Sequence, residues 1–202
     1  MSSFPYIGFE GPIGAGKTTL TQLLGSHVRA SVILEDVDGN EFLPDFYKDR
    51  ERWSLAMQLW FLAARHKQLA LVRSDRDNSV VADYTYAKNT IFAKTLLRSR
   101  EFRLYNEISA ALTATTTQPN LIVYLDADDD VLLERIRGRG RPYETSITSE
   151  YLDSVRSGYE EYLASVSELN VFRVNTSRLN LGSESELANL YEMILERATV
   201  QR

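Results

Sequence analysis

Gly11-Pro12-Ile13-Gly14-Ala15-Gly16-Lys17-Thr18 decides the fold. The eight residues satisfy G-x-x-x-x-G-K-[ST] at every fixed position. Phe4-Pro5-Tyr6-Ile7-Gly8-Phe9-Glu10 before them reads as a short buried strand. Thr19 opens the following stretch, in which Leu20, Leu23 and Leu24 recur at helical spacing. Strand, glycine-rich loop and helix together form the context in which this pattern cradles phosphate. The glycines let successive backbone N–H groups face one point, and the helix N-terminus adds its positive dipole end there. Lys17 then reaches the β- and γ-phosphates and the Thr18 hydroxyl serves Mg²⁺. Residues 11–19 are thus expected to hold a nucleoside triphosphate.

Working outward, the chain alternates strands and helices. Ser31-Val32-Ile33-Leu34 is a second strand ending in Glu35-Asp36, and Ser79–Tyr84 is a third with Asp83 near its end. Leu121–Asp126 and Val171–Val174 are the fourth and fifth. Between them, apolar residues at three- and four-residue steps mark helices over about 52–74, 87–97, 101–115, 151–169 and 185–197. A further helix after the fourth strand is capped by Asp128. Val37–Arg52 is polar and broken by Gly39 and Pro44. The alternation predicts an α/β fold: a doubly wound, five-stranded parallel sheet with helices on both faces. Ligands gather at the carboxyl ends of such strands, which makes one of the Glu35-Asp36 pair a potential general base.

Two further features bear on a site. Gln58 and Arg65 lie seven residues apart on one side of the long helix; spacing alone favours a solvent-facing stripe over a pocket wall. Arg135-Ile136-Arg137-Gly138-Arg139-Gly140-Arg141 alternates arginines with two glycines. Arginine suits phosphate through its planar donors, and glycines suit a closing segment, so about 138–146 reads as an Arg-rich lid.

The 202 residues suit a single domain, 1–202, without repeat or linker. No apolar run is long enough to span a membrane, and no secretion signal opens the chain. A cytoplasmic location is expected because ATP is there. The net charge of −5 argues against a nucleic-acid partner. With no cysteine and two histidines, thiolate or histidine chemistry is disfavoured.

In order, the phosphate loop, Glu35-Asp36-Val37, Phe46-Tyr47-Lys48-Asp49, Arg52-Trp53-Ser54 with Gln58, Asp83-Tyr84-Thr85 and Arg135–Glu144 resemble the deoxynucleoside kinase family, and within it the bacterial purine-specific kinases. The resemblance spans about four fifths of the chain. It implies ATP-dependent, Mg²⁺-assisted phosphorylation of a deoxynucleoside 5′-hydroxyl by a homodimer. It implies that Glu35 takes the 5′-hydroxyl proton, that Tyr47 and Glu144 hold the 3′-hydroxyl, and that Gln58 pairs with the base. The last implication makes the Gln58–Arg65 side a pocket wall, with Arg65 at its far end. By the same match Asp83 lies near Mg²⁺, and Arg139 and Arg141 grip the triphosphate. Two positions depart from common family patterns: Tyr84 stands where many relatives carry an arginine that steadies the glutamate, and Asn89 where some carry aspartate facing the base. Gln58 offers a donor and an acceptor side by side, and Arg65 donors only, a pair that permits both purines. The expected substrate is therefore deoxyguanosine or deoxyadenosine. The alternatives are a deoxycytidine-preferring or broad deoxynucleoside kinase, a thymidylate-type monophosphate kinase, and a non-catalytic nucleotide-binding module.

Overall fold

Five parallel strands form one sheet in the order β2-β3-β1-β4-β5: β1 Tyr6–Glu10, β2 Ser31–Ile33, β3 Val80–Ala82, β4 Leu121–Asp126 and β5 Val171–Asn175. A computed structural model describes residues 6–74, 79–113, 116–165 and 171–199. The strand residues Phe4 and Pro5, and the helix ends expected at 114–115 and 166–169, lie outside them.

Eight α-helices are present among the described residues: α1 Lys17–Val28, α2 Leu43–Lys48, α3 Arg50–Ser74, α4 Ala87–Leu96, α5 Ser99–Thr113, α6 Asp129–Arg139, α7 Ser149–Ser165 and α8 Glu184–Thr199. The edge strands β2 and β5 are partly exposed, while the three central strands β3, β1 and β4 are buried almost throughout because helices cover both faces of a parallel sheet. Alternation along β3 shows it: Val81 joins the core of Ile7, Phe9, Val123 and Leu132, while Val80 and Ala82 join that of Tyr6, Leu62, Leu69 and Tyr105. A third cluster, Leu43, Phe46, Met57 and Phe61, binds α2 to α3 beside the carboxyl ends of the strands.

Three local readings need correction. Pro44 does not break the 37–52 stretch; it sits in the first turn of α2, where its missing N–H costs nothing. α3 begins at Arg50, and the Asp49 carboxylate accepts the Arg52 amide at 3.1 Å as a cap. Asp128 holds the N-cap position of α6 but makes no side-chain capping bond; Asp129 and Asp130 supply the acidic first turn.

Candidate active site

The phosphate loop takes its shape from backbone conformations closed to most side chains. Gly11 has φ 140°, and a Cβ there would run into the carbonyl oxygen of Leu125; Gly16 caps α1 at φ 94°. Lys17 Nζ donates to the carbonyls of Gly11 and Pro12, each at 2.8 Å, and so folds over its own loop. Burial, then the nearby charge of Lys88, pulls its ammonium down to about 7. A phosphate brought here would restore the charge. Beneath the loop, Thr176 Oγ1 donates to Ala15 O at 3.1 Å, and Arg135 donates to Thr176 Oγ1 at 2.9 Å and to its carbonyl at 2.8 Å.

The end of β3 is fastened to β1 by a buried carboxylate. Glu10 Oε1 accepts the Thr85 amide at 2.7 Å and the Thr85 hydroxyl at 2.8 Å, and Glu10 Oε2 accepts the Tyr159 hydroxyl at 2.7 Å. Gly8 allows the close approach, since a Cβ there would strike the Thr85 methyl. Asp83 is thereby placed between two other site residues: its Oδ2 accepts the Thr18 hydroxyl at 2.7 Å, and its Oδ1 accepts the Glu35 amide at 2.7 Å.

Glu35 lies just past β2 with its side chain only 9% exposed. Its Oε1 accepts Arg65 Nε at 2.7 Å and pairs with Nη2 at 2.5 Å; its Oε2 accepts Lys88 Nζ at 2.6 Å. Burial opposes ionisation, yet the charges and hydrogen bonds of Lys88 and Arg65 outweigh it and hold the carboxyl at about 2. Arg65 also donates Nη1–H to Asn89 Oδ1 at 2.7 Å, while Asn89 Nδ2 is buried without a partner. Tyr84 does not reach Glu35. Its hydroxyl donates to Gln68 Oε1 at 2.7 Å, and Gln68 in turn donates to the Leu34 carbonyl at 2.9 Å.

One cavity of about 700 Å³ runs from the phosphate loop past Glu35 to Gln58, a volume suited to a small ligand. The Gln58–Arg65 side of α3 is its wall, with both residues buried. Gln58 Oε1 has no partner, so the amide acceptor is left open at the apolar end formed by Met57 and Phe61. Tyr47 stacks on Tyr143 at 5.7 Å between ring centres, and burial, then Tyr151 and Glu144, pushes its phenol well up.

The arginine-rich segment is more ordered than its glycines suggest. Gly138 lies inside α6, and only Gly140, at φ 72°, ends the helix; a 3₁₀ turn, Pro142–Ser146, follows. Arg139 makes a forked pair with buried Glu144, at 2.7 Å from Nη2 to Oε1 and 3.1 Å from Nε to Oε2. Arg141 lies 3.6 Å from Glu144 Oε1, and it donates to Asp38, as does the Tyr143 hydroxyl.

Ile13–Thr19, Glu35, Tyr47, Gln58, Arg65, Asp83, Arg139, Arg141 and Glu144 line this cavity, and Gly11, Pro12 and Asn89 bond residues that do, whereas Tyr84 bonds Gln68 and Asp36 bonds Gly39, neither of which lines it. Lys88, Thr176 and Asp38 were missed. A lysine in the first turn of an apolar helix, a threonine after a strand and a loop aspartate carry no spacing pattern by which to find them. Among the described residues no group of three or more histidine, aspartate and glutamate side chains gathers to hold a metal. Thr18 and Asp83 offer hard oxygen donors 2.7 Å apart, which fits Mg²⁺, an ion that keeps waters and takes phosphate oxygens as its other ligands.

A family model described as deoxynucleoside kinase matches residues 7–196. The chain is 38% identical over 171 residues to a deoxyguanosine kinase of Bacillus subtilis (strain 168), covering 83% of each. It is 33% identical over 178 residues to a deoxyadenosine kinase of Dictyostelium discoideum, covering 85% of this chain and 72% of that one. A solved structure of deoxyadenosine kinase from M. mycoides, with dCMP and dCDP bound, superposes with a TM-score of 0.81. It covers 93% of this chain and 97% of its own at 24% identity, and shares the fold.

Proposed function

The chain belongs to the deoxynucleoside kinase family, ATP-dependent enzymes that phosphorylate deoxynucleosides, and on that premise we propose a purine deoxynucleoside as its acceptor. The observation that carries the reading is the line-up of phosphate loop, Glu35 and Gln58 along one cavity. ATP enters at residues 11–19 and the nucleoside lies toward Gln58, so the 5′-oxygen meets the γ-phosphorus beside Glu35.

The step is in-line displacement. The 5′-oxygen bonds to the γ-phosphorus, the bond from that phosphorus to the β,γ-bridging oxygen breaks, ADP leaves, and the proton goes to Glu35. A carboxyl held at about 2 accepts poorly from a free alcohol. The hydroxyl becomes a strong acid as its oxygen bonds phosphorus, and in a loose transition state that happens late. Glu35 therefore orients the hydroxyl first and takes the proton as the bond completes. Lys17, Arg139 and Arg141 balance charge on the transferring group, and Thr18 and Asp83 would hold Mg²⁺, which supplies further charge neutralisation there. Tyr47 and Glu144 take the sugar hydroxyl, and Gln58 the base.

The purine reading draws support from the neutral Asn89, whose unpartnered Nδ2 adds a donor beside Arg65, and from the two purine kinases among the relatives. We read residues 1–202 as one domain with its lid at about 138–146, acting as a homodimer in the cytoplasm. Among the described residues no helix is long and apolar enough to cross a membrane. A panel of deoxynucleosides assayed with ATP and Mg²⁺ tests the proposal. Deoxyguanosine and deoxyadenosine are expected to lead in kcat/KM; a lead for deoxycytidine or thymidine would overturn the purine assignment.

A further inference from the structure

Lys88 is costly to bury where it stands. Its side chain is 7% exposed, and it extends from the first turn of α4, where the helix dipole disfavours a cation. What compensates it is the ion pair with Glu35 at 2.6 Å, the face of the Phe92 ring at 5.6 Å and, without a direct bond, the charge of the Glu10 carboxyl. A buried ion pair seldom offsets its desolvation in stability; well-packed apolar residues commonly do as well or better. Fold stability alone therefore gives a weak reason for Lys88.

The geometry around Glu35 gives a stronger one. A carboxylate has about four acceptor sites. Arg65 Nε and Nη2 address Oε1, and Lys88 addresses Oε2. About one site, on Oε2, is then left for a substrate hydroxyl, with the carboxylate plane fixed from both sides. No other described residue supplies the second hold: Tyr84 is neutral, and its hydroxyl is committed to Gln68. Four residues further on, the first turn of α4 brings Lys88 back over the strand end, its amide bonded to the Thr85 carbonyl at 3.2 Å.

We infer that Lys88 is the positioning residue for Glu35 in this chain, holding Oε2 so that the carboxylate presents a single acceptor site to the 5′-hydroxyl. The inference rests on the reading of Glu35 as the proton acceptor. It accounts for a tyrosine at position 84: with the second cation delivered from the helix, that position is free to brace α3 through Gln68.

Steady-state kinetics on Lys88→Met, Lys88→Arg, Glu35→Gln and the double variant Glu35→Gln/Lys88→Met test it. Misplacing a reacting group by an ångström costs on the order of 10²-fold. Lys88→Met is expected to lose about that much in kcat with KM for both substrates within a few-fold, and Lys88→Arg to recover most of it. In the Glu35→Gln background, Lys88→Met is expected to add little. A wild-type kcat for Lys88→Met overturns the inference. So does a full further loss in the Glu35→Gln background with a raised KM for ATP, since Lys88 would then act on the phosphates. A wild-type kcat for Glu35→Gln defeats the reading of Glu35 itself, and a slow Glu35→Gln beside an unimpaired Lys88→Met defeats the role of Lys88 alone. Should Lys88→Met fail to fold, judged by its thermal transition, Lys88→Gln carries the same comparisons.

Discussion

Glu35 and Asp36 are consecutive in the chain and face opposite environments. Glu35 is clasped by Arg65 and Lys88 inside the cavity, whereas Asp36 Oδ1 accepts the Gly39 amide at 2.9 Å at the surface. Glu35→Gln is therefore expected to lower kcat by roughly 10²- to 10⁴-fold with nucleoside KM within a few-fold. Asp36→Asn is expected to turn over like wild type. Initial rates on the two purified variants decide the matter, and the reverse pattern would move the base to position 36.

Two duties are expected of Arg65, and they should separate in kinetics. Because it holds Glu35 through Nε and Nη2, Arg65→Ala is expected to lower kcat on deoxyadenosine and deoxyguanosine alike. Its remaining donors, with Asn89 Nδ2, suit the paired acceptors of guanine, which Gln58 alone satisfies in part. The loss in kcat/KM is expected to be larger for deoxyguanosine by about 1–3 kcal/mol, a range taken from bidentate base contacts in DNA. Equal losses would confine Arg65 to its work on Glu35.

The two glycines of the arginine-rich segment should answer differently to alanine. Gly138 is helical, and a Cβ there meets no atom within 4 Å, so Gly138→Ala is expected to gain up to about 1 kcal/mol. That corresponds to a rise of roughly 2–4 °C in Tm, with turnover retained. Gly140 has φ 72°, and Gly140→Ala is expected to lose about 1–2 kcal/mol. Arg139→Ala is expected to lower kcat on the order of 10²- to 10³-fold through lost charge stabilisation. Thermal melts and kcat on the three variants check this. A stalled Gly138→Ala would mean that the end of α6 must unwind during turnover.

The sheet and the phosphate loop were legible because each writes a local pattern. A run such as Leu121–Asp126, short and with β-branched Ile122 and Val123, reads as a buried strand, and the loop motif has fixed spacing. Gln58 and Arg65 were ambiguous by spacing, since a polar pair on a helix looks the same whether it faces water or a cavity. Lys88 was illegible because its meaning lies in a contact 53 residues away, to Glu35. Gly138 misled for a related reason: glycine costs a helix about 1 kcal/mol, and the flanking residues of α6 carry the helix through it all the same.

Glu10 offers a test by pH. Burial raises its carboxyl above the ordinary 4.5, against the charge of Lys88 and the hydrogen bonds from Tyr159 and Thr85. The folded state thus favours the protonated form, and that contribution to stability is lost as pH rises from the unfolded value through the folded one. Glutamine keeps an acceptor for Thr85 and offers Tyr159 a donor, with no charge to bury. Glu10→Gln is expected to melt a few degrees above wild type at pH 7, roughly 2–4 °C per kcal/mol, with the difference shrinking below about pH 4.5. A lower Tm for Glu10→Gln at pH 7 would show that the bonds to the ionised carboxylate outweigh its burial.

The neighbouring strands β2, β3 and β1 lead directly into Glu35, Asp83 and the phosphate loop. Strands lie about 4.8 Å apart, so the sheet is a ruler whose gradations set the spacing of Glu35, Asp83 and the phosphate loop. Side chains do the chemistry, but the backbone ladder does the measuring. Were β3 to slip one residue from its pairing of Tyr6 with Val80, Asp83 would travel about 3.3 Å and turn to the other face, away from Thr18. Gly8 and Glu10 guard that graduation by seating Thr85 against β1. A larger residue at position 8 is therefore a change to the scale of the instrument, made without touching any group that reacts.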